Sequence, residues 1–421
     1  MKYSEMNIDK DILKAVHELG FEEPTEIQSK AIPIIKEGKD FIGQSETGSG
    51  KTAAFGIPIL ERVVAGHSVQ ALIVAPTREL VEQIGKNLRD FSKHKKIHIT
   101  VVYGGVGYDQ QINNMRNSEI IVGTPGRLLD HLRNGYLFLG HLKIFVLDEA
   151  DKMFDMGFID DVRELINHMP EKKQMLMFSA TVNQDVEQLI KSYMANPVLI
   201  RTKSYVEQSL LKQYFYDVPR QDKISLLFHL INKDKPQLAI VFCSTRRQVD
   251  FVARSLQKNG VNSMPLHGGL SQSKRNEIMD GFRAGKLNIL VASDVASRGI
   301  DIKNVTHIFN YGVPKTPKEY VHRVGRTARM GNEGVAINLL DETDYQNFNR
   351  VLEDHSIKVE QLQLPTFQRI HVAPPRMETR EGFGGRVFGD RRFGNNNQSG
   401  DRRPRYGGGS NYRPRHSVKY R

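Results

Sequence analysis

The sequence predicts an α/β protein in which one strand–helix architecture is built twice, with mostly parallel sheets, ahead of a disordered basic tail rich in Gly and Arg. Three observations predict it. First, short runs rich in Val and Ile alternate with amphipathic stretches of helical period, which implies parallel strands covered by helices on both faces. Second, the halves echo each other. Residues 72–78 and 239–246 each run from an apolar strand into a Thr-Arg helix start, offset by 168 residues. Ile120-Ile121-Val122-Gly123-Thr124 is matched by Ile289-Leu290-Val291-Ala292-Ser293 at an offset of 169, and Gly104-Gly105 by Gly268-Gly269 at 164. Three matches at nearly one offset imply two copies of one unit. Third, beyond about residue 366 the apolar pattern stops, and a stretch of Gly, Arg, Asn and scattered Phe or Tyr cannot bury enough surface to fold.

In chain order, residues 1–202 form the first domain. Residues 203–210 are polar, follow Pro197 and read as the linker. Residues 211–365 form the second domain and 366–421 the tail. Pro58 lies inside the helix expected after Thr52, so that helix should kink or end early. The chain carries 60 Lys and Arg against 48 Asp and Glu, a net charge of +12, which favours polyanionic partners. Most of the excess lies in residues 376–421, where eleven arginines and one lysine face four acids. The single cysteine, Cys243, excludes an internal disulfide and a Cys-based zinc site and fits a reducing compartment. The N-terminus lacks a signal-peptide core, and no apolar run reaches the ~18 residues of a membrane span. A cytoplasmic protein with no membrane partner is expected.

Two segments carry the chemistry. Gly48-Ser49-Gly50-Lys51-Thr52 has small residues that let backbone N–H groups approach phosphate oxygens, a Lys as a point charge and a Thr hydroxyl suited to Mg²⁺. About a hundred residues later, Ile144-Phe145-Val146-Leu147 delivers Asp148, Glu149 and Asp151 to the C-terminal rim of a buried strand, where α/β sheets bind ligands. Asp148 can hold Mg²⁺ and Glu149 can polarise an attacking water. Taken alone, the acidic segment also reads as a helix N-terminus. Upstream, Gln28 carries a donor and an acceptor able to read the paired edge groups of adenine, and Phe21 can stack on the base. Taken alone, a surface Gln and a core Phe are the commoner explanation of those two residues. Ser179-Ala180-Thr181 places two hydroxyls at a strand end, for bonding to Asp148 or Asp151, or for an ordinary helix cap. In His322-Arg323-Val324-Gly325-Arg326-Thr327-Ala328-Arg329, the arginines at 326 and 329 are spaced to share one side of a helix or turn and to meet a γ-phosphate from a second domain. A solvated basic face is the plainer reading of that stretch.

With these motifs in this order, the chain resembles a DEAD-box ATP-dependent RNA helicase of helicase superfamily two, over residues 3–365. The resemblance implies two tandem RecA-like domains, ATP and Mg²⁺ as cofactors, and single-stranded and duplex RNA as partners. It implies that Tyr3, Phe21, Gln28, Gly48, Ser49, Gly50, Lys51, Thr52 and Asp301 contact nucleotide, and that Thr52 and Asp148 sit at the metal. Lys51, Asp148, Glu149, His322, Arg326 and Arg329 would form the catalytic set, with Ser179, Ala180 and Thr181 as the coupling motif. Pro76, Thr77, Arg78, Gly104, Gly105, Thr124, Pro125, Gly126 and Arg127 resemble the first domain's RNA contacts. His267, Gly268, Gln272, Arg275 and Ser293 resemble the second domain's. Three positions depart from the pattern: Ser45 where a strict phosphate loop has Gly, Ser293 for Thr, and Gly312 for a common Asp.

The mechanism so implied is local strand separation, or remodelling of RNA–protein complexes, by a monomer whose domains close on ATP and RNA together. RNA would be held largely through its backbone, with little sequence preference. A DNA helicase of the same superfamily would share the fold but would more often lack the Gln28 element and the Pro-Thr-Arg-Glu-Leu run at 76–80. A non-enzymatic RNA clamp is opposed by the intact Lys51, Glu149, Arg326 and Arg329.

Overall fold

A computed structural model describes residues 2–45, 48–66, 68–202, 210–294, 305–328 and 333–372. Two seven-stranded sheets organise these residues. The first contains β1 (Phe41–Gln44), β2 (Ala71–Val74), β3 (Ile99–Val102), β4 (Ile120–Gly123), β5 (Ile144–Leu147), β6 (Gln174–Ser179) and β7 (Val198–Arg201). The second contains β8 (Leu211–Asp217), β9 (Ala239–Cys243), β10 (Ser263–Leu266), β11 (Ile289–Ser293), β12 (His307–Asn310), β13 (Gly334–Leu340) and β14 (Glu360–Gln361). Their orders are β3-β4-β2-β5-β6-β1-β7 and β10-β11-β9-β12-β13-β8-β14. Adding seven to each strand number converts the first order into the second. The central register of the first sheet sets Leu72 beside Ile121 and Phe145, in parallel pairs.

Parallel strands are covered on both faces, and the side-chain period of two divides each sheet between two cores. Ile73 and Val146 enter one core of the first domain; Leu72, Val74, Phe145 and Leu147 enter the other. In the second domain Ile240 and Phe242 face one core, while Ala239, Val241 and the fully buried Cys243 face the other. A one-residue slip would exchange the two sets. The repeat extends to the helix starts. Thr77 accepts from the Leu80 N–H at the head of Arg78–Phe91, and Thr245 accepts from the Gln248 N–H at the head of Arg246–Lys258. Each cap contributes about 1 kcal/mol.

Two expectations are corrected. Of the kink or early end expected at Pro58, the early end does not occur: the helix Lys51–Arg62 continues past Pro58 with residues 53–60 all buried. Burial between the neighbouring helices Glu26–Lys36 and Arg78–Phe91 outweighs the one backbone hydrogen bond that Pro58 cannot donate. Residues 366–372, expected in the tail, lie on the second domain. Phe367 and Ile370 pack on its core, Arg369 pairs with Asp222 at 2.6 Å, and the Ile370 N–H donates to Ser225 Oγ. Linker residues 203–209 and the rest of the tail fall outside the described residues. Among the described residues, no helix is long and apolar enough to cross a membrane.

Candidate active site

The end of β1 leads through Ser45 into the phosphate loop, of which Glu46 and Thr47 are outside the described residues. Gly50 has φ of 90°, and a Cβ there would lie 2.3 Å from Gln28 Nε2, so the position needs Gly for both backbone and space. Lys51 is buried and its Nζ donates to Ser45 O at 3.1 Å. Ser45, the departure from Gly, accepts a hydrogen bond from Ser49 Oγ and so ties the loop across its base. Thr52 is half-buried in the first turn of the helix that follows.

Gln28 is 1% exposed and held by three hydrogen bonds. Its Oε1 accepts from Tyr3 Oη at 2.5 Å and from Thr25 N, while its Nε2 donates to Gly50 O at 3.0 Å. Tyr3, expected at the nucleotide, is fully buried and reaches the site only through Gln28. Phe21 is half-buried and edge-on to Phe91, with ring centres 6.1 Å apart. Phe21, Gln28, Lys51, Thr52, Asp148 and Glu149 all line one cavity of about 920 Å³, with Asn276 and Met279 of the second domain on its other wall.

The acidic pair sits at the rim of β5. Asp148 is buried and accepts the Glu149 N–H; burial, opposed by Lys51, pushes its carboxyl up to about 6. Glu149 adopts φ of 53°, an uncommon value for a side chain without special tolerance. Its Oε1 accepts from Lys152 Nζ at 2.7 Å, with both side chains 3% exposed. Burial works against the charged Glu149 carboxylate, but Lys152 and Lys51 prevail and hold it below the usual carboxylate range. Of the two acids offered to Ser179 and Thr181, the structure selects Asp151. Thr181 Oγ1 donates to Asp151 Oδ2 at 2.9 Å, the Asp151 N–H donates to Ser179 Oγ, and Ser179 Oγ donates to Thr181 O. The cap of the next helix, Gln184–Tyr193, is Asn183, so the plain capping role falls to another residue; Ala180 sits half-buried between the hydroxyls.

The second domain reaches this rim through the helix Pro317–Val324. Lys318 Nζ lies 2.9 Å from Asp155 and 3.8 Å from Asp151. Burial, helped by Lys152, depresses His322 to about 3, so its ring is neutral at pH 7. Arg326 is 4% exposed, in the turn beyond that helix, and its charge acts on Glu149 and Lys152. Arg329 and Asp301 lie outside the described residues. Arg323, which the sequence reading passed over, organises this end of the sheet. It grips Asp294 through two bonds of 2.6 and 2.7 Å and donates to Asn310 Oδ1 and Gly312 O. A Cβ on Gly312 would lie 2.3 Å from Ser244 Oγ, which accounts for Gly at that departure.

Two matching glycine–arginine cradles lie further along the same C-terminal rims, beyond the ends of β2, β3 and β4 and of β9 and β10. In the first domain, Arg78 and Arg127 converge beside Gly104, where a Cβ would lie 3.5 and 3.8 Å from their guanidinium nitrogens. Gly105, with φ of 86°, leaves room for Arg78. Thr77 caps the helix that presents Arg78, and Thr124 holds the N-terminal position of the helix that presents Arg127 without a side-chain bond; Pro76 and Pro125 are buried and Gly126 is exposed. In the second domain a Cβ on Gly268 would lie 3.4 Å from Arg246. Arg246 was missed as a site residue, although the 168-residue offset pairs it with Arg78. His267 is oriented by Asp250 at 3.0 Å, and Ser293 is half-buried at the end of β11. Gln272 and Arg275, expected among the RNA contacts, are buried against the first domain instead: Arg275 pairs with Glu79 at 2.7 Å and Gln272 Nε2 lies 3.4 Å from the same carboxylate. A buried guanidinium needs a carboxylate partner, and Glu79 supplies it.

Residues 25–189 match the family model described as DEAD/DEAH box helicase, and residues 222–331 match the helicase conserved C-terminal domain. The chain belongs to the DEAD-box helicase family. Among curated DEAD-box relatives, the ATP-dependent RNA helicase CshA of Listeria monocytogenes is 43% identical over 381 residues, covering 90% of this chain and 73% of that protein. CshA of Geobacillus kaustophilus is 41% identical, covering 86% of this chain and 79% of that one. Among solved structures, Saccharomyces cerevisiae Dbp5 bound to RNA and ADP BeF3 is 31% identical with a TM-score of 0.77, covering 86% of this chain and 95% of that chain. A DEAD box protein from Methanococcus jannaschii is 37% identical but scores 0.54, covering 86% and 99%. The two sheets are therefore RecA-like domains of the DEAD-box kind.

Proposed function

We propose that this DEAD-box chain is an ATP-dependent RNA helicase. It would couple RNA-stimulated hydrolysis of ATP to closure of its two domains, and so separate short RNA duplexes or remodel RNA–protein complexes. The observation that carries this reading is the buried Asp148–Glu149 pair facing a cavity at the rim of one domain, with Arg326 of the other domain acting on it. Such a site is complete only when both domains contribute.

Gly48, Ser49, Gly50 and Lys51 take the phosphates, Lys51 exchanging Ser45 O for them. Phe21 and Gln28 take adenine, with Tyr3 holding Gln28. Thr52 and Asp148 would hold Mg²⁺. Their donors are hard oxygens, and no cluster of three or more His, Cys, Asp or Glu occurs among the described residues. That set suits a cation that keeps water and phosphate oxygens in its shell. Bound there, Mg²⁺ supplies neutralisation of charge on the phosphate oxygens. Glu149 accepts the proton of the attacking water. Arg326, and Arg329 by the family pattern, stabilise the charge that develops on the γ-phosphoryl group. Neutral His322 and the Ser179–Thr181 hook on Asp151 relay closure to the site. The Arg78–Arg127 and Arg246–Gly268 cradles hold RNA phosphates, which positions a strand without reading its sequence. The arginine-rich residues 376–421 tether RNA through phosphate contacts and stacking. The protein works as a monomer in the cytoplasm.

The test is Glu149→Gln. ATP and RNA binding should persist while RNA-stimulated turnover falls by about 100-fold or more, the usual contribution of a positioned base. Robust hydrolysis by this variant would remove Glu149 from the role.

A further inference from the structure

We propose that Lys152 is a positioning residue for hydrolysis, which holds one oxygen of Glu149 so that the other is presented to the attacking water. The inference rests on the reading of Glu149 as the proton acceptor and adds to it the group that aims it.

Three observations carry it. Lys152 Nζ sits 2.7 Å from Glu149 Oε1, with each side chain 3% exposed, so the pair is held inside the protein rather than on its surface. Glu149 Oε2 is buried and has no hydrogen-bond partner. The carboxylate is thus held at one oxygen and left without a partner at the other, the arrangement a general base needs when a third group orients it. The backbone supplies the geometry. Glu149 has φ of 53° and ψ of 48° and caps the six-residue helix Ala150–Asp155, which places Lys152 three residues on, within reach of the carboxylate in front of it. A residue held in this region is maintained by its surroundings, and here the Glu149 N–H is tied to Asp148 Oδ1 at 2.9 Å.

The surroundings also explain why a cation is required at 152. Lys51 and Arg326 both oppose the Lys152 charge, and Glu149 is the carboxylate that compensates it. Lys152 in turn is the cation paired with Glu149 at 2.7 Å. In the step itself, a water proton passes to Glu149 Oε2 and the water oxygen bonds to the γ-phosphorus. The bond from that phosphorus to the bridging oxygen breaks, and its electron pair stays on ADP. Oε1 remains on Lys152 throughout.

The experiment is steady-state ATPase of the full chain with saturating RNA, on Lys152→Met, Lys152→Arg and Glu149→Gln. Lys152→Met should lower kcat by about 10–100-fold, part of the factor a positioned base supplies, with the KM for ATP and the RNA needed for half-stimulation nearly unchanged. Lys152→Arg restores the charge and should recover most of kcat. Adding Lys152→Met to Glu149→Gln should lower the residual rate no further, because two residues acting as one unit are not additive. If Lys152→Met fails to fold, Lys152→Gln, of similar length and without charge, makes the same comparison. Wild-type kcat in the uncharged variant beside an inactive Glu149→Gln overturns the inference and leaves Glu149 as the base. A loss confined to KM, or no rescue by Arg, overturns it as well. An active Glu149→Gln would instead remove the reading beneath it.

Discussion

The two domains share one scaffold and differ at its rim. Strand for strand, the second sheet repeats the order of the first. Yet β5 of the first is followed by Asp148 and Glu149, while its counterpart β12 ends in Asn310 and is followed by Tyr311 and Gly312. Asn310 and Gly312 serve Arg323, which fixes the helix carrying His322. One rim therefore carries buried acids, and the other brings the cations Lys318 and Arg326 against them. Further along the same strand ends the duplication was kept, with a glycine–arginine cradle in each domain. The scaffold provides two equivalent ledges, and the few residues at each strand end decide what the ledge does. The residues after β5 and β12 have diverged, and the glycine–arginine cradles have not.

Four experiments break or sharpen that contrast, from the largest expected effect to the smallest. Arg326→Ala removes the second domain's contribution to the first domain's acids, and should cut RNA-stimulated ATPase by about 10³-fold if it acts as a full arginine finger. Single-turnover kinetics at saturating ATP would reveal it; a change of less than tenfold would mean that the catalytic charge is complete within one domain. Gln28 belongs to the first domain alone. Wild type should favour ATP over GTP by about 5–150-fold in affinity, the worth of roughly 1–3 kcal/mol for a paired hydrogen bond, and Gln28→Ala should erase the preference. Equal competition by GTP in wild type would end the adenine role.

Gly312→Asp imposes on the second rim an acid like that of the first. Its Cβ would meet the Ser244 backbone N at 2.8 Å as well as its hydroxyl. Urea unfolding should show a loss of about 1–3 kcal/mol, the usual cost of overpacking. An unchanged midpoint would show that β9 yields easily. The smallest effect concerns acid stability of the second domain. Buried Lys223 pairs with Asp341 at 2.9 Å and also with Asp344. Burial pushes the Asp341 carboxyl up, but hydrogen bonds from Thr343 and Lys223 outweigh it and leave the group at about 2, from 3.8. A depressed folded value means stability that is present above pH ~4 and lost as pH falls towards 2. Melting curves of wild type and Asp341→Asn should thus differ at pH 5 and converge near pH 2; a gap independent of pH would remove the ionic explanation.

Much of this was legible in the sequence. The offset repeats at residues 72–78 and 239–246 became β2 and β9 with capped helices, because apolar runs and Thr caps are local signals. The phosphate loop and acidic strand end were legible for the same reason. Contacts between distant elements were not. Nothing near Gln272 or Arg275 announces Glu79, some 190 residues away, and only the docked domains bury that pair. Pro58 signalled a break that tertiary burial overrode. Lys152 follows the acidic motif directly, yet its meaning depends on the backbone turn at Glu149, which a string of letters does not display.

Cys243 has a practical consequence. It is the chain's only cysteine, fully buried in β9, and burial raises its thiol far above the range in which thiolates form at neutral pH. A thiol so placed is inert to maleimides, because the thiolate is the reacting species. Cysteines introduced at exposed Lys172 in the first domain and Lys258 in the second would accept dyes without removal of the native Cys243. The motion between the two ledges is therefore open to fluorescence ruler measurements on an otherwise unaltered chain.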